Sequence, residues 1–149
     1  MQKLWTSDLN IGIDEIDAGN KKIVDYINHL VNAKQQQNME ELENVIEHLL
    51  VDYVCAQFVF EEHLMEQAGY EYRTGHEKVH ELFAKKLGDL RVRVQAGDPV
   101  FDQVIDMLVH WVDSHVRIED KMYAESVKLK IDQEGGETWV QGVVKMFFG

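Results

Sequence analysis

The chain has 149 residues, 45% of them apolar and 28% charged, which is enough for one packed domain and too few for two of ordinary size. Acidic residues outnumber basic ones 27 to 15, and the formal net charge of −12 argues against nucleic-acid binding, because no basic cluster reverses that sign locally. The lone cysteine, Cys55, excludes an intrachain disulfide. With no apolar leader at the N-terminus and no apolar run of membrane-span length, the expected location is the cytoplasm.

An irregular opening, Trp5 to Asp14, precedes a first helix expected from about Asp17 to Ala33, with Asn20, Ile23, Ile27, Leu30 and Val31 on one stripe. Gln35 to Asn38 is a polar break, after which Asn38 and Glu41 stand in capping-box positions for a second helix. Its stripe is Leu42, Val45, Leu49, Tyr53, Gln57, Phe60, Glu61 and Leu64, and it ends near Gly69. Thr74, with Glu77 three residues on, opens a third helix that carries His76, His80, Phe83, Leu87 and Leu90 and stops at Gly97. Asp98 and Pro99 suggest an N-cap followed by proline in the first helical position. The fourth helix is expected to bury Phe101, Val104, Leu108, Trp111, Val112, His115 and Met122. Short connections between four such helices predict an all-α, up-down-up-down four-helix bundle over residues 1–130, with a tail over 131–149.

Polar residues stand on these apolar stripes. His76 and His80, four apart, project from one helical face and can grip one metal ion. Glu61 comes from the second helix, and His115 and Asp120 come from the fourth. Any one of these alone reads as a hydrogen-bonded core residue. Together, buried and mutually unneutralised, they call for a cation, because an unpaired buried charge costs several kcal/mol.

The ordered set resembles the hemerythrin domain, its bacterial branch in particular. The resemblance is carried by Gly12-Ile13-Asp14 with Ile16-Asp17, by Phe58, Phe60, Glu61, Glu62 and Met65, by His76, His80 and Phe83, and by Trp111, His115, Asp120 and Tyr123. It implies a four-helix bundle around a non-haem diiron centre that binds O₂ reversibly. One iron would take His76, His80 and His115, and Glu61 and Asp120 would bridge to a second iron held by one histidine from each of the first two helices. Those two histidines are absent: Asn20 and Gln57 occupy their positions, while the three-histidine half is intact. Amide oxygens are weak ligands beside imidazole, so Asn20 and Gln57 are expected to hydrogen-bond the carboxylates instead of holding a metal. O₂ carriage in the family's manner draws one electron from each of two irons. The expectation is therefore one metal per chain, Zn or Fe, in a regulatory, interaction or sensing module that is not an enzyme. The alternatives are a retained diiron O₂ carrier or store and, last, a mononuclear iron enzyme.

In the tail, Trp139, Val143 and Phe147 recur at helical spacing beyond Gly135-Gly136. They suggest an amphipathic helix that docks on its own bundle, on a partner protein or on a second copy of the chain. The expectation taken forward is a partner or self-association through that stripe.

Overall fold

The computed structural model describes residue 3, residues 5–133 and residues 137–148; the side chains of Leu49, Glu137, Thr138, Trp139 and Phe147 lie outside the described set. A 3₁₀ turn, Ser7–Leu9, leads into α1 (Asp14–Gln35). Helix α2 spans residues 39–68 and consists of Met39–Asn44, a wide π-type stretch Val45–Leu50, and Val51–Ala68. Helix α3 is Arg73–Gln95. Helix α4 spans residues 101–133, as Phe101–Trp111, a second π-type stretch Val112–Glu119, and Asp120–Gln133. A terminal helix, α5, is Glu137–Phe148. Helices α1 to α4 form the up-down-up-down bundle, and α5 lies against α2 and α4.

Local chemistry accounts for the boundaries. Asn38 caps α2 as expected, its side-chain oxygen accepting from the Glu41 amide at 3.1 Å. Gly69 closes α2 with φ of +68°, a left-handed residue of the kind that favours glycine. Two expected starts differ from the structure. Helix α3 begins at Arg73 with Tyr72 in the cap position, so Thr74 is already inside the first turn, and Glu77 pairs with Arg73 at 3.4 Å. Asp98 turns back to Arg93 at 3.3 Å, and α4 begins beyond Pro99, at Phe101.

Two apolar clusters fill the interior. One gathers Ile27, Leu30, Leu42, Leu50, Leu87, Val104 and Leu108, and the other gathers Ile11, Ile16, Phe60, Leu64, Tyr123 and Val127. Each such side chain contributes about 1.5–3 kcal/mol on full burial. Along α1 and α4 a polar layer falls between the clusters: Asn20 lies between Ile16 and Ile23, and Asp120 lies between Val116 and Tyr123.

The π-type stretches change which residues face inward. A π turn adds a residue, so the apolar stripe slips by one position beyond it. In α2 the buried Val45 is joined by Ile46, Leu50, Val51 and Val54 and Tyr53 is only half-buried, while Gln57, Phe60, Glu61 and Leu64 are buried as expected. In α4 the slip overturns one expectation, because Met122 is 62% exposed and Tyr123 is fully buried in its place.

The tail corrects a second expectation. Val143 does not face a partner: with Val140 it is buried in the cluster of Phe60, Leu64 and Val127. Phe148 lies across Tyr53 and Phe60, with ring centres 6.0 and 5.5 Å apart. Among the described residues of α5, Val140, Val143 and Val144 pack on the chain's own bundle. Trp139 and Phe147, named in the same expectation, have side chains outside the described residues.

Candidate metal centre

The π-type stretch in α4 explains how His115 and Asp120 share a face. Five residues along an α-helix turn through 500°, leaving side chains about 140° apart. With about 4.4 residues per turn in a π-helix, the same five leave them only about 50° apart. His76 and His80, one turn apart on α3, face them from the neighbouring helix.

The donor atoms converge. His115 Nε2 lies 3.1 Å from His76 Nε2, 3.1 Å from His80 Nε2 and 3.0 Å from Asp120 Oδ1, and His76 Nε2 is 3.1 Å from the same Oδ1. Among the described residues, His76, His80, His115 and Asp120 each offer one ligand atom within 4.8 Å of all the others, and all four are buried. Three ring nitrogens this close, with one carboxylate oxygen, form a donor set that could hold a divalent cation. A metal about 2.1 Å from nitrogen spaces adjacent donors about 3.0 Å apart in an octahedral array and about 3.4 Å apart in a tetrahedral one. The four shortest spacings, 3.0 to 3.1 Å, are close enough for one ion to bridge these donors.

Neighbours fix the imidazoles. Phe58 stacks on His80 at 4.0 Å and 6°, and Trp111 stacks on His115 at 3.8 Å and 17°. His80 Nδ1 is 3.1 Å from Glu62 Oε2, so its Nε2 points inward. His115 Nδ1 lies 2.7 Å from Glu119 Oε2, a close ionic contact without hydrogen-bond alignment. Carboxylates on the outer ring nitrogen orient metal-binding histidines in this way. Burial, followed by the His76 and His115 rings, pushes His80 down to about 2, so its ring stays neutral and available as a donor. Burial pushes Glu62 up to about 7, with Glu77 adding to the effect. Burial also opposes the charge on Asp120, but hydrogen bonds from His115 and His76 prevail and hold its carboxyl below the ordinary range.

Glu61 stands beside this group, on its Asp120 side. It accepts the Tyr123 hydroxyl at 2.9 Å and touches Asp120 and Gln57. Burial and then the Asp120 charge push its carboxyl well above the ordinary value. Asn20 and Gln57 are brought to the same polar layer, 2% and 1% exposed. Gln57 hydrogen-bonds Glu61, as expected, and its Nε2 lies 3.4 Å from the Ile16 carbonyl, whereas Asn20 Nδ2 and Gln57 Oε1 have no hydrogen-bond partner. The histidine side thus carries a convergent donor set, and the amides of Asn20 and Gln57 stand on the other side of the layer.

Sequence reasoning did not single out Glu119 or Gly19. Glu119 stands four residues after His115, a spacing that signals contact on a helix. Gly19 is a glycine inside a helix, where it costs stability unless something needs the room, and a Cβ there would overlap the Gln57 amide. Asp17 was legible only as motif: its carboxylate accepts the Ile11 and Gly12 amides at 2.8 and 3.2 Å and ties the opening segment to α1.

Comparison with known proteins agrees with this geometry. The hemerythrin HHE cation binding domain matches residues 11–127. The bacteriohemerythrin of Pseudomonas aeruginosa (strain LESB58) is 42% identical, covering 98% of this chain and 97% of its own. That of Stenotrophomonas maltophilia (strain R551-3) is 39% identical over the same shares. That of Methylococcus capsulatus is 27% identical, covering 80% of this chain and 92% of its own. With four helices around converging histidines, a family match over most of its length and near-full-length relatives at about 40% identity, the chain belongs to the hemerythrin family.

Proposed function

We propose that this chain is a one-metal hemerythrin that serves as a binding or sensing module, with no second iron for O₂ carriage. His76, His80, His115 and Asp120 hold the metal, and Glu61 sits behind Asp120 as its hydrogen-bonded neighbour. The observation that carries this reading is the asymmetry of the polar layer. Four buried donors lie within 4.8 Å of one another on one side, and two buried amides, each with an unpartnered atom, stand on the other. Three imidazoles and a carboxylate suit either zinc or ferrous iron. When bound, the metal supplies an open coordination position. The protein supplies imidazoles held in place by Phe58, Trp111 and Glu62 and buried away from bulk water.

A second reading is a diiron centre in which an amide oxygen takes the place of imidazole. One observation favours it, namely that Gln57 Oε1 is a buried acceptor without a donor. X-ray absorption on the iron-loaded protein separates the two readings. One iron with three imidazoles and no metal neighbour at about 3.5–4 Å is expected. A strong metal–metal scattering peak at that distance supports the diiron reading and rejects the first.

A further inference from the structure

A groove of about 340 Å³ opens between α1, α2 and α5, with Gly19, Tyr53, Gln57, Phe60, Val144 and Phe148 among its walls. Gln57, 1% exposed, forms its floor and does not stand in the opening. On its inner side the same amide touches Glu61, which touches Asp120, whose Oδ1 lies 3.1 and 3.0 Å from the Nε2 atoms of His76 and His115. Gln57, with Glu61 behind it, therefore stands between the groove and the converging donors. Elsewhere the histidines are backed by aromatic rings: Phe58 on His80, Trp111 on His115, and Tyr123 edge-on to His76 at 5.3 Å.

Gln57 is held weakly for a buried polar residue. Besides its hydrogen bond to Glu61 it has only a long one to Ile16, Oε1 has no donor, and the amide rests in the space that a Cβ on Gly19 would fill. Turning it outward gives up about one good hydrogen bond, that to Glu61, and leaves nothing behind at Oε1, which has no partner to lose. The walls of the groove are largely apolar, which suits a small uncharged molecule and disfavours an anion.

We propose that Gln57 is the gate through which a small uncharged ligand reaches the metal's open position, with the groove under α5 as its approach and Gly19 as its seat. The proposal rests on the one-metal reading. Nitric oxide is the probe, mixed without oxygen with iron(II)-loaded protein and followed by absorption in a stopped-flow instrument. Gln57→Ala removes the gate. Gly19→Ala evicts the amide while improving helix propensity, so that variant retains the fold. In both variants binding and release should accelerate together, by roughly five- to tenfold, the kinetic equivalent of about one hydrogen bond, with the equilibrium affinity unchanged. Val144→Trp, which narrows the groove, should slow both steps. Leu82→Trp, in the separate groove beside Trp111, should change neither.

Wild-type rates in both Gln57→Ala and Gly19→Ala, at one iron per chain, would overturn the gate and leave the one-metal reading standing. Faster release alone, with weaker affinity, would also overturn it, because Gln57 would then be stabilising the bound ligand. Two irons in the wild type would instead remove the reading on which the gate rests.

Discussion

Replacing His80 with alanine tests the ligand set most sharply, because two separable losses follow from it. The ring is 2% exposed, stacked on Phe58 at 4.0 Å and held by Glu62 at 3.1 Å. In the metal-free protein its removal leaves a cavity against Phe58 and Trp111 and costs about 2–3 kcal/mol, as large-to-small core substitutions do. In the loaded protein a second loss is added. A metal at a hundred times its dissociation constant stabilises the fold by about 2.7 kcal/mol, and that gain vanishes when one donor in four is missing. Urea unfolding of both proteins, with iron and with EDTA, separates the two losses. The wild type should lose its metal-linked stability in EDTA, whereas His80→Ala should be equally stable with and without the chelator. If EDTA destabilises both proteins alike, His80 is not a ligand and the convergence of its Nε2 on His115 has another cause.

Three further outcomes are expected. Asn20→His with Gln57→His should raise metal capacity to two per chain, counted by elemental analysis of folded protein; unchanged capacity would mean that packing, and not donor type alone, closes the second position. Val143→Ala, in the cluster under α5, should cost about 2 kcal/mol in urea unfolding with metal content unchanged; unaltered stability would place α5 off the bundle. The third outcome concerns pH. The folded state holds His80 down to about 2 against an ordinary 6.5, so between those values the unfolded chain binds the extra proton. Metal-free stability from this group is therefore full above pH 6.5 and falls on acidification, by up to about 1.4 kcal/mol per pH unit. His80→Gln should lose that slope, and an identical slope in the variant would reject the assignment.

Much of the bundle was legible because its signals are local. The stripe Ile23, Ile27, Leu30 and the cap Asn38 act within a turn or two, and the structure keeps both. The departures arise where the helix period changes. A 3.6-residue template carried past Val112 points Met122 inward, whereas the wide stretch to Glu119 delivers Tyr123 instead. The spacing His115 to Asp120 contained that information, since two residues five apart can meet on one face only if the turn between them is wide. Histidine types and spacing gave the candidate site, but Glu119 and Gly19 act through contacts between neighbouring turns or helices that no one-dimensional pattern isolates. The tail failed for a different reason. An amphipathic stripe shows that a face will be covered, and only the packing of Val140 and Val143 shows by what.

The central claim is one metal per chain, and counting it is the most direct test. Protein purified without added metal, then loaded with iron under reducing conditions and desalted, should carry close to one equivalent by elemental analysis and develop no intense visible band on exposure to O₂. Two equivalents with an O₂-dependent band that fades on deoxygenation would contradict the account, and would make Asn20 and Gln57 working parts of a diiron centre.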